Sequence, residues 1–325
     1  MQATAERSAS EIAPDSPATT AIQTLELAKE FGSTVALAGL TMTVGKGEIF
    51  GFLGPNGAGK TTAVKLLVGL SKPTRGEGWV LGERLGNRAV RSRIGYLPEL
   101  FRYQDWLTGR EVMGFHCRLA GIPRDQRERA AEHALELAGI AGRADDRVGA
   151  YSKGMQQRLG LAVALVGNPE VLFLDEPTSA LDPVGRHDVR EIIRTLKARG
   201  TTVFLNSHLL GEVELVCDRV AIVDQGRVIA IGTIDELRGA GKGVRIRAEG
   251  VDEEVRQSLR RFGPVEESEG WTVVRGIGDD AVPEIVRAVV QSGARVYAVQ
   301  PAAGTLEDTF LKLLEGAHDG HPDHS

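Results

Sequence analysis

Apolar and polar positions along the chain follow two patterns, one typical of buried strands and one typical of helices. Parallel strands covered on both faces are apolar along their whole length. Four short runs fit that description: Glu48–Leu53, Val171–Asp175, Thr202–Asn206 and Val220–Asp224. Because helical patterns separate these runs, the sequence predicts an α/β domain with a largely parallel sheet over about residues 21–238.

Helical spacing of apolar residues predicts the segments between the strands. The main candidates are Lys60–Leu70, Asp182–Arg199 and His208–Val216. From about residue 98 to residue 167 the strand pattern is interrupted, and Arg110–Leu119 and Asp125–Ala138 have amphipathic spacing. We interpret this stretch as a mainly helical insertion in the α/β domain.

A second, smaller domain is predicted at the carboxyl end. Gly239, Gly241 and Gly243 indicate a linker. Residues 244–316 alternate between strand and helix patterns, which predicts a small α+β domain ending in a helix from Thr305. Residues 1–20 and 317–325 are poor in apolar residues, and we expect a disordered leader and a disordered tail.

Composition excludes several classes of protein. The 39 Lys+Arg and 44 Asp+Glu give a net charge of −5, which argues against binding a nucleic-acid backbone, so no nucleic-acid partner is expected. Two cysteines, Cys117 and Cys217, are too few for a disulfide scaffold, and we expect them in the core. No apolar run is long enough to span a membrane and no signal peptide is visible, so we expect a protein that works inside the cell.

A glycine-rich loop follows the first predicted strand and precedes a helix. It fits the pattern G-x-x-x-x-G-K-[ST], in which backbone N–H groups and a helix N-terminus bind phosphate. Lys60 should contact the β- and γ-phosphates of a nucleotide, and the Thr61 hydroxyl should bind Mg²⁺. The predicted phosphate-binding residues are Gly54, Pro55, Asn56, Gly57, Ala58, Gly59, Lys60, Thr61 and Thr62.

Two adjacent acids end the apolar run Val171–Asp175. Open α/β sheets place their ligands at the carboxyl ends of strands, so Asp175 is expected beside the phosphate loop. Asp175 would hold Mg²⁺, and Glu176 would orient or deprotonate the attacking water. Together with the loop, these acids predict a nucleotide phosphatase.

Further motifs resemble those of the ATP-binding-cassette (ABC) ATPases. Residues 151–158 (YSKGMQQR) resemble the signature loop of that family, and residues 176–182 (EPTSALD) look like its D-loop. Asn206-Ser207-His208 is similar to its switch-histidine segment, and Phe31 lies where the family stacks an aromatic ring on adenine. The resemblance covers about Ile22 to Leu237.

The resemblance implies the fold class and the activity. It implies a P-loop NTPase ABC cassette with a helical insertion, acting as the ATPase subunit of a transporter that uses ATP and Mg²⁺. In the family two cassettes pack head to tail, so a homodimer is implied, with His208 on the γ-phosphate. Across that interface, the residues implied to face the γ-phosphate of the opposite copy are Ser152, Lys153 and Gly154. The resemblance also implies that Met155 and Asp182 bind nucleotide.

The resemblance also implies a membrane partner. The transporter would be an exporter, by similarity to that branch, with an integral membrane permease on a separate chain and the cassette at the cytoplasmic face of the membrane. In the family the segment Phe101–Arg110 docks a helix of that permease. The alternative is that Trp106 and Leu107 pack on the helical insertion.

Some positions depart from the family pattern. Glu99 stands where most cassettes have a glutamine that contacts Mg²⁺, and we expect Glu99 to bind the metal and to couple the site to the membrane partner. Ala180 replaces a D-loop glycine, and Lys153 replaces a signature glycine. A soluble ABC ATPase acting in translation or DNA maintenance remains the alternative function.

Overall fold

A computed structural model describes most of the chain. The described residues are 19–179, 181–238, 243–268, 270–302 and 305–319. Sequence predictions that lie outside them concern most of the leader, Ala180, the linker glycines Gly239 and Gly241, and the end of the tail. Contacts divide the chain into two compact units, Met1–Ile231 and Gly232–Ser325, called here the N-terminal unit and the C-terminal unit.

The strands of both units are given in chain order. They are β1 (Thr20–Phe31), β2 (Thr34–Gly45), β3 (Ile49–Leu53), β4 (Arg75–Val80), β5 (Glu83–Arg84), β6 (Ile94–Leu97), β7 (Val171–Asp175), β8 (Thr202–Asn206), β9 (Arg219–Asp224), β10 (Arg227–Thr233), β11 (Gly243–Glu249), β12 (Val265–Ser268), β13 (Trp271–Arg275) and β14 (Arg295–Pro301).

The α-helices are also given in chain order. They are α1 (Lys60–Leu67), α2 (Gly109–Leu119), α3 (Arg127–Leu137), α4 (Lys153–Leu165), α5 (Pro183–Ala198), α6 (Leu210–Val216), α7 (Ile234–Leu237), α8 (Glu253–Leu259), α9 (Val282–Gln291) and α10 (Leu306–Asp319).

A six-stranded sheet in the order β10-β9-β3-β8-β7-β6 forms the centre of the N-terminal unit. β3 pairs in parallel with β8 and β9, and β7 pairs in parallel with β6 and β8. Every residue of β3, β7 and β8 is buried, as their continuous apolar sequences predict. The carboxyl ends of these three strands therefore meet at one edge of the sheet.

A second sheet of the same unit is antiparallel, in the order β2-β1-β4-β5. These strands were not predicted from the sequence, and the predicted, largely parallel sheet corresponds to the central sheet. β1 and β2 form a hairpin in which Phe31 pairs with Thr34, and Gly32 between them has φ +60°, a conformation that favours glycine. Register shifts interrupt the ladder of β1, so the apolar alternation that marks a half-buried strand is broken in the sequence.

The two sheets share one hydrophobic core. Leu27 and Leu40 of the antiparallel sheet belong to the same buried cluster as Phe52 and Phe173 of the central sheet, and helix α1 contributes Leu67. This packing holds the start of β2 against the segment that joins β3 to α1.

Helices α2, α3 and α4 fill the segment predicted as a helical insertion. A capping box starts α2, in which Thr108 accepts from the backbone N–H of Glu111 and the Glu111 side chain accepts from the N–H of Thr108. Tyr151 donates from its hydroxyl to the carbonyl oxygen of Arg143 over 2.6 Å, which ties the chain just before α4 to the end of the preceding turn. Cys117 on α2 is buried, as predicted.

The C-terminal unit has the element order β11-α8-β12-β13-α9-β14 and the sheet order β12-β13-β11-β14. This is the β-α-β-β-α-β arrangement of ferredoxin-like folds. The unit has a core of its own, with Ile246, Leu259 and Ile285 fully buried. Strand β12 was not predicted, because most of its side chains are polar and exposed.

Two boundaries differ from the predicted ones. The division between the units falls ahead of residue 238, because the short helix α7 contacts α10 within the C-terminal unit. Helix α10 continues to Asp319, past the predicted end at residue 316. A glycine inside a helix costs about 1 kcal/mol but does not end it, and α10 continues through Gly316.

Candidate active site

The loop between β3 and α1 has the backbone that a phosphate nest requires. Gly57 and Gly59 have φ of +85° and +93°, in the region that glycine favours, and α1 begins at Lys60. A Cβ at Gly59 would lie 2.2 Å from the carbonyl oxygen of Ala36 at the start of β2. Only glycine fits there.

The ammonium group of Lys60 is held by the same loop. Nζ donates hydrogen bonds to the carbonyl oxygens of Gly54 (2.8 Å) and Pro55 (3.1 Å). Burial lowers the pKa of Lys60, and nearby carboxylates oppose that shift, Glu176 most strongly. A buried cation thus lies at the helix N-terminus, close to the acids that end β7.

Asp175 ends β7 and is only 1% exposed. Its Oδ1 accepts a hydrogen bond from the amide Nδ2 of Asn206, the residue at the matching position of β8. Burial raises the pKa of Asp175, the charges of Glu99 and Glu176 add to the rise, and the bond from Asn206 acts against it. The site therefore favours the entry of positive charge beside this carboxyl group.

Glu176 is buried and held at both ends. Its backbone N–H donates to the carbonyl oxygen of Asn206 over 2.9 Å, and its Oε2 lies 2.8 Å from Nδ1 of His208. The φ of Glu176 is +53°, a left-handed conformation that is uncommon for a residue with a side chain. Strained backbone of this kind is concentrated at functional sites.

These groups surround one cavity of about 450 Å³. It brings together residues from the phosphate loop, the loop after β6 and the ends of β7 and β8, as the sequence predicted. Predicted residues that line it are Asn56, Gly57, Gly59, Lys60, Thr61, Thr62, Glu99, Glu176 and His208. Residues that the sequence reasoning gave no role are Thr34, Val35, Ala36 and Asn206.

Comparison with known proteins shows the family of the chain. The family model described as ABC transporter matches residues 37–179. An uncharacterised ABC transporter ATP-binding protein of Nostoc sp. is 40% identical over 285 residues, which cover 86% of this chain and 84% of that protein. The chain belongs to the ABC transporter ATP-binding proteins.

Other relatives agree with that membership. The Nod factor export ATP-binding protein I of Burkholderia lata is 39% identical, over 88% of this chain and 94% of that protein. A solved structure of an ATP-binding subunit of an ABC transporter is 31% identical and has a TM-score of 0.61, over 67% of this chain and 92% of that one. The predicted family, the ABC cassette fold and the function of a transporter ATPase subunit are therefore confirmed.

The signature residues of this ABC cassette lie apart from the cavity. Ser152 is exposed and caps helix α4, where its hydroxyl accepts from the N–H of Met155 over 3.3 Å. Lys153 is exposed and Gly154 is half-buried in the first turn of the same helix. Asp182 caps α5 by accepting from the N–H of Gly185 over 2.7 Å. None of the signature residues 152–155 lines the cavity of its own chain.

Phe31 stands at the end of β1 with 55% of its surface exposed. The ammonium group of Lys29 lies 4.9 Å from the centre of its ring, a cation–π contact. Phe31 does not line the described cavity, whereas Thr34, Val35 and Ala36 of the same hairpin do. Its contact with adenine stays a prediction.

The oxygen donors of the cassette fit a magnesium ion that arrives with a nucleotide. Thr61, Glu99 and Asp175 offer hard oxygen ligands beside the phosphate loop. Among the residues that the structure describes, no group of three or more acids, histidines or cysteines is assembled as a metal site. Mg²⁺ commonly binds through one or two carboxylates and substrate phosphates rather than a protein cage.

Some residues that line the cavity were given no role from the sequence, and most of them reach it through packing between segments that are distant in the sequence. Ala36 reaches the cavity because β2 lies against the phosphate loop, and no local pattern in the sequence gives that contact. Asn206 is different, since it stands in the Asn-Ser-His segment and ends a predicted strand. Its place at a strand end could have marked it as a site residue.

Proposed function

We propose that this ABC cassette hydrolyses ATP with Mg²⁺ as one of two identical cassettes, and that it drives export through a permease on a separate chain. The observation that carries the proposal is the cavity in which Lys60, Glu176 and His208 meet. The similarity to an export ATP-binding protein supports the direction of transport.

The roles of the residues follow from their positions. The N–H groups of the phosphate loop and Lys60 bind the phosphates of ATP, and Thr61, Asp175 and Glu99 would hold Mg²⁺. The metal would supply positive charge that neutralises the phosphates. The carboxylate of Glu176 orients the attacking water and accepts its proton, and His208 fixes that carboxylate and donates to the γ-phosphate.

The exposed start of α4 supports the dimer. The hydroxyl of Ser152 and the first N–H groups of the helix form an end that suits an anion, and these residues do not line the cavity of their own chain. In a head-to-tail pair, this end would contact the γ-phosphate bound by the partner. Moving such a pair from mostly open to mostly closed takes about 5.5 kcal/mol of differential binding, which several charge-assisted hydrogen bonds can supply.

An exposed groove beside α2 supports a membrane partner. Trp106 is 71% exposed, and Leu107 beside it is half-buried. With Leu107, Gly114 and Phe115 it lines an open cavity of about 680 Å³. Gln104, Glu111, Arg118 and Arg127 complete the lining, so the groove offers both apolar and charged contacts. Exposed apolar side chains rimmed by polar ones are typical of docking surfaces, and a cytoplasmic helix of the permease is the proposed occupant. Glu99, a few residues upstream, would couple the groove to the nucleotide.

In this proposal the permease would hold the cassette at the cytoplasmic face of the membrane. In the described part of the chain, no helix combines the length and the apolar character needed to cross a bilayer.

The proposal is tested by Glu176→Gln, which keeps the size of the side chain and removes its basicity. We expect the steady-state ATPase rate of the cassette to fall by about 10²–10⁴-fold. Glu128→Gln, the same change at an exposed residue of α3, should leave the rate unchanged. A Glu176→Gln protein that hydrolyses ATP at the wild-type rate would remove Glu176 from the mechanism, and co-purification with ribosomes instead of a multispanning protein would refute the transporter role.

A further inference from the structure

Asn206 lies at the junction of the two acids. It ends β8, pairs in register with Asp175 of β7, and is 1% exposed. It also lines the nucleotide cavity together with Glu176 and His208. A neutral polar side chain therefore stands, almost fully buried, at the place where phosphate, cation and water must meet.

Two groups of Asn206 hold the two acids. Its backbone carbonyl oxygen accepts a hydrogen bond from the N–H of Glu176 over 2.9 Å. Glu176 is the residue with the left-handed φ of +53°. Its side-chain Nδ2 donates to Oδ1 of Asp175. The amide is assigned this way round because the reverse orientation would set two acceptor oxygens against each other.

The third group of Asn206 has no protein partner. Among the residues that the structure describes, no side-chain or backbone donor reaches its Oδ1, which is buried. Buried acceptors are nearly always paired, and those that are not call for an explanation. The residue that carries this oxygen lines the cavity that the nucleotide and its cation would enter.

We propose that Asn206 is a positioning residue for the divalent cation. Its Nδ2 fixes Asp175 so that one carboxylate oxygen stays free for the cation, and its Oδ1 accepts a hydrogen bond from a water molecule bound to that cation. Asparagine suits both tasks because it donates and accepts without adding a third negative charge beside Asp175 and Glu176. The inference rests on the proposed function, since it requires Asp175 to hold the cation.

The test measures cation binding and does not depend on hydrolysis. Mn²⁺ is titrated into the protein loaded with the non-hydrolysable analogue AMP-PNP, and free Mn²⁺ is read by electron paramagnetic resonance. Asn206→Leu fills the site without polar atoms, and Asn206→Ala leaves a small space. Because the two changes disturb packing in opposite directions, an effect that both share comes from the lost amide.

We expect both variants to bind Mn²⁺ about 10–100-fold more weakly than the wild type, as loss of a residue that orients a metal ligand typically does. AMP-PNP binding in EDTA should stay within about twofold of the wild type, since the phosphate loop is untouched. Asn87→Ala, which loses an exposed amide that caps a short 3₁₀ helix away from the cavity, should change neither quantity.

The other outcomes are distinct. If either folded variant keeps the wild-type affinity for Mn²⁺, the inference is wrong. If AMP-PNP binding in EDTA weakens as much as Mn²⁺ binding, Asn206 supports only the local structure, and the inference is again wrong. If the wild type itself binds no Mn²⁺ in the presence of AMP-PNP, the proposed function is wrong, and the inference about Asn206, which rests on it, is wrong with it.

Discussion

At the residue scale, the site concentrates unfavourable features in a few side chains. Glu176 adopts a left-handed backbone, Asp175 has its pKa raised by burial, and Lys60 has its pKa lowered by burial. The left-handed backbone and the two buried ionisable groups each raise the free energy of the folded chain. The hydrogen bonds from Asn206 to Asp175 and between His208 and Glu176 hold the acids in place. Bound nucleotide and cation would relieve the burial of unbalanced charge.

Outside the site, His116 on α2 couples the stability of the fold to pH. Its ring lies edge-on to Tyr103, with centroids 5.8 Å apart, and burial lowers its pKa. The unfolded chain therefore binds the proton more readily, and stability conferred by neutral His116 is lost as the pH falls below about 6.5. We expect His116→Gln to reduce the drop in the free energy of unfolding between about pH 7.5 and about pH 5.5.

Urea unfolding at the two pH values, in the wild type and in His116→Gln, measures the decrease in the free energy of unfolding. His187→Gln makes the same change at an exposed position of α5, where no such burial exists, and should leave the drop as in the wild type. Equal drops in the wild type and His116→Gln would show that His116 does not contribute.

At the scale of elements, helix α4 packs very closely on the segment after β6. A Cβ at Gly160 would lie 2.7 Å from Cζ of Phe101 and 2.8 Å from Cδ1 of Leu97. Gly160 thus lets α4, which begins beside Ser152, contact the segment that carries Glu99. The signature helix and the loop that lines the cavity are joined through this contact.

We expect Gly160→Ala to lower the free energy of unfolding by about 1–3 kcal/mol, because the added methyl group overfills the contact. Gly114→Ala on α2 is the matched control, since a Cβ there would meet nothing within 4 Å. It should raise stability by about 0.5–1 kcal/mol, the usual gain on replacing a helical glycine. Equal gains in both variants, measured by urea unfolding, would refute the close contact.

The strands of the N-terminal unit differ in how well the sequence predicts them. β7 and β8 have the predicted bounds, because each is a continuous apolar run closed by polar residues. β1 and β2 were not recognised, because bulges in β1 break the alternation of a half-buried strand. The Gly32-Ser33 turn between them was the available signal for a hairpin.

At the scale of the whole molecule, the site was predictable where its chemistry is local. The phosphate loop, Asp175, Glu176 and His208 lie in short motifs, and the cavity brings three of these four together while Asp175 lies buried beside them. Thr34, Val35 and Ala36 were missed, because their place depends on how the antiparallel sheet packs against the loop. Ser152 and Asp182 do not line the cavity in a single chain, and the contacts with nucleotide proposed for them would need a second copy.

The central claim is that ATP held between two copies of the chain closes the dimer. The most direct measurement is the mass of Glu176→Gln in solution by light scattering, with ATP and Mg²⁺ and then with ADP and Mg²⁺. We predict twice the 34.9 kDa of one chain with ATP and a single chain with ADP, and loss of the ATP-dependent dimer when Ser152→Phe is added. A Glu176→Gln protein that stays at 34.9 kDa in saturating ATP and Mg²⁺ would contradict the account.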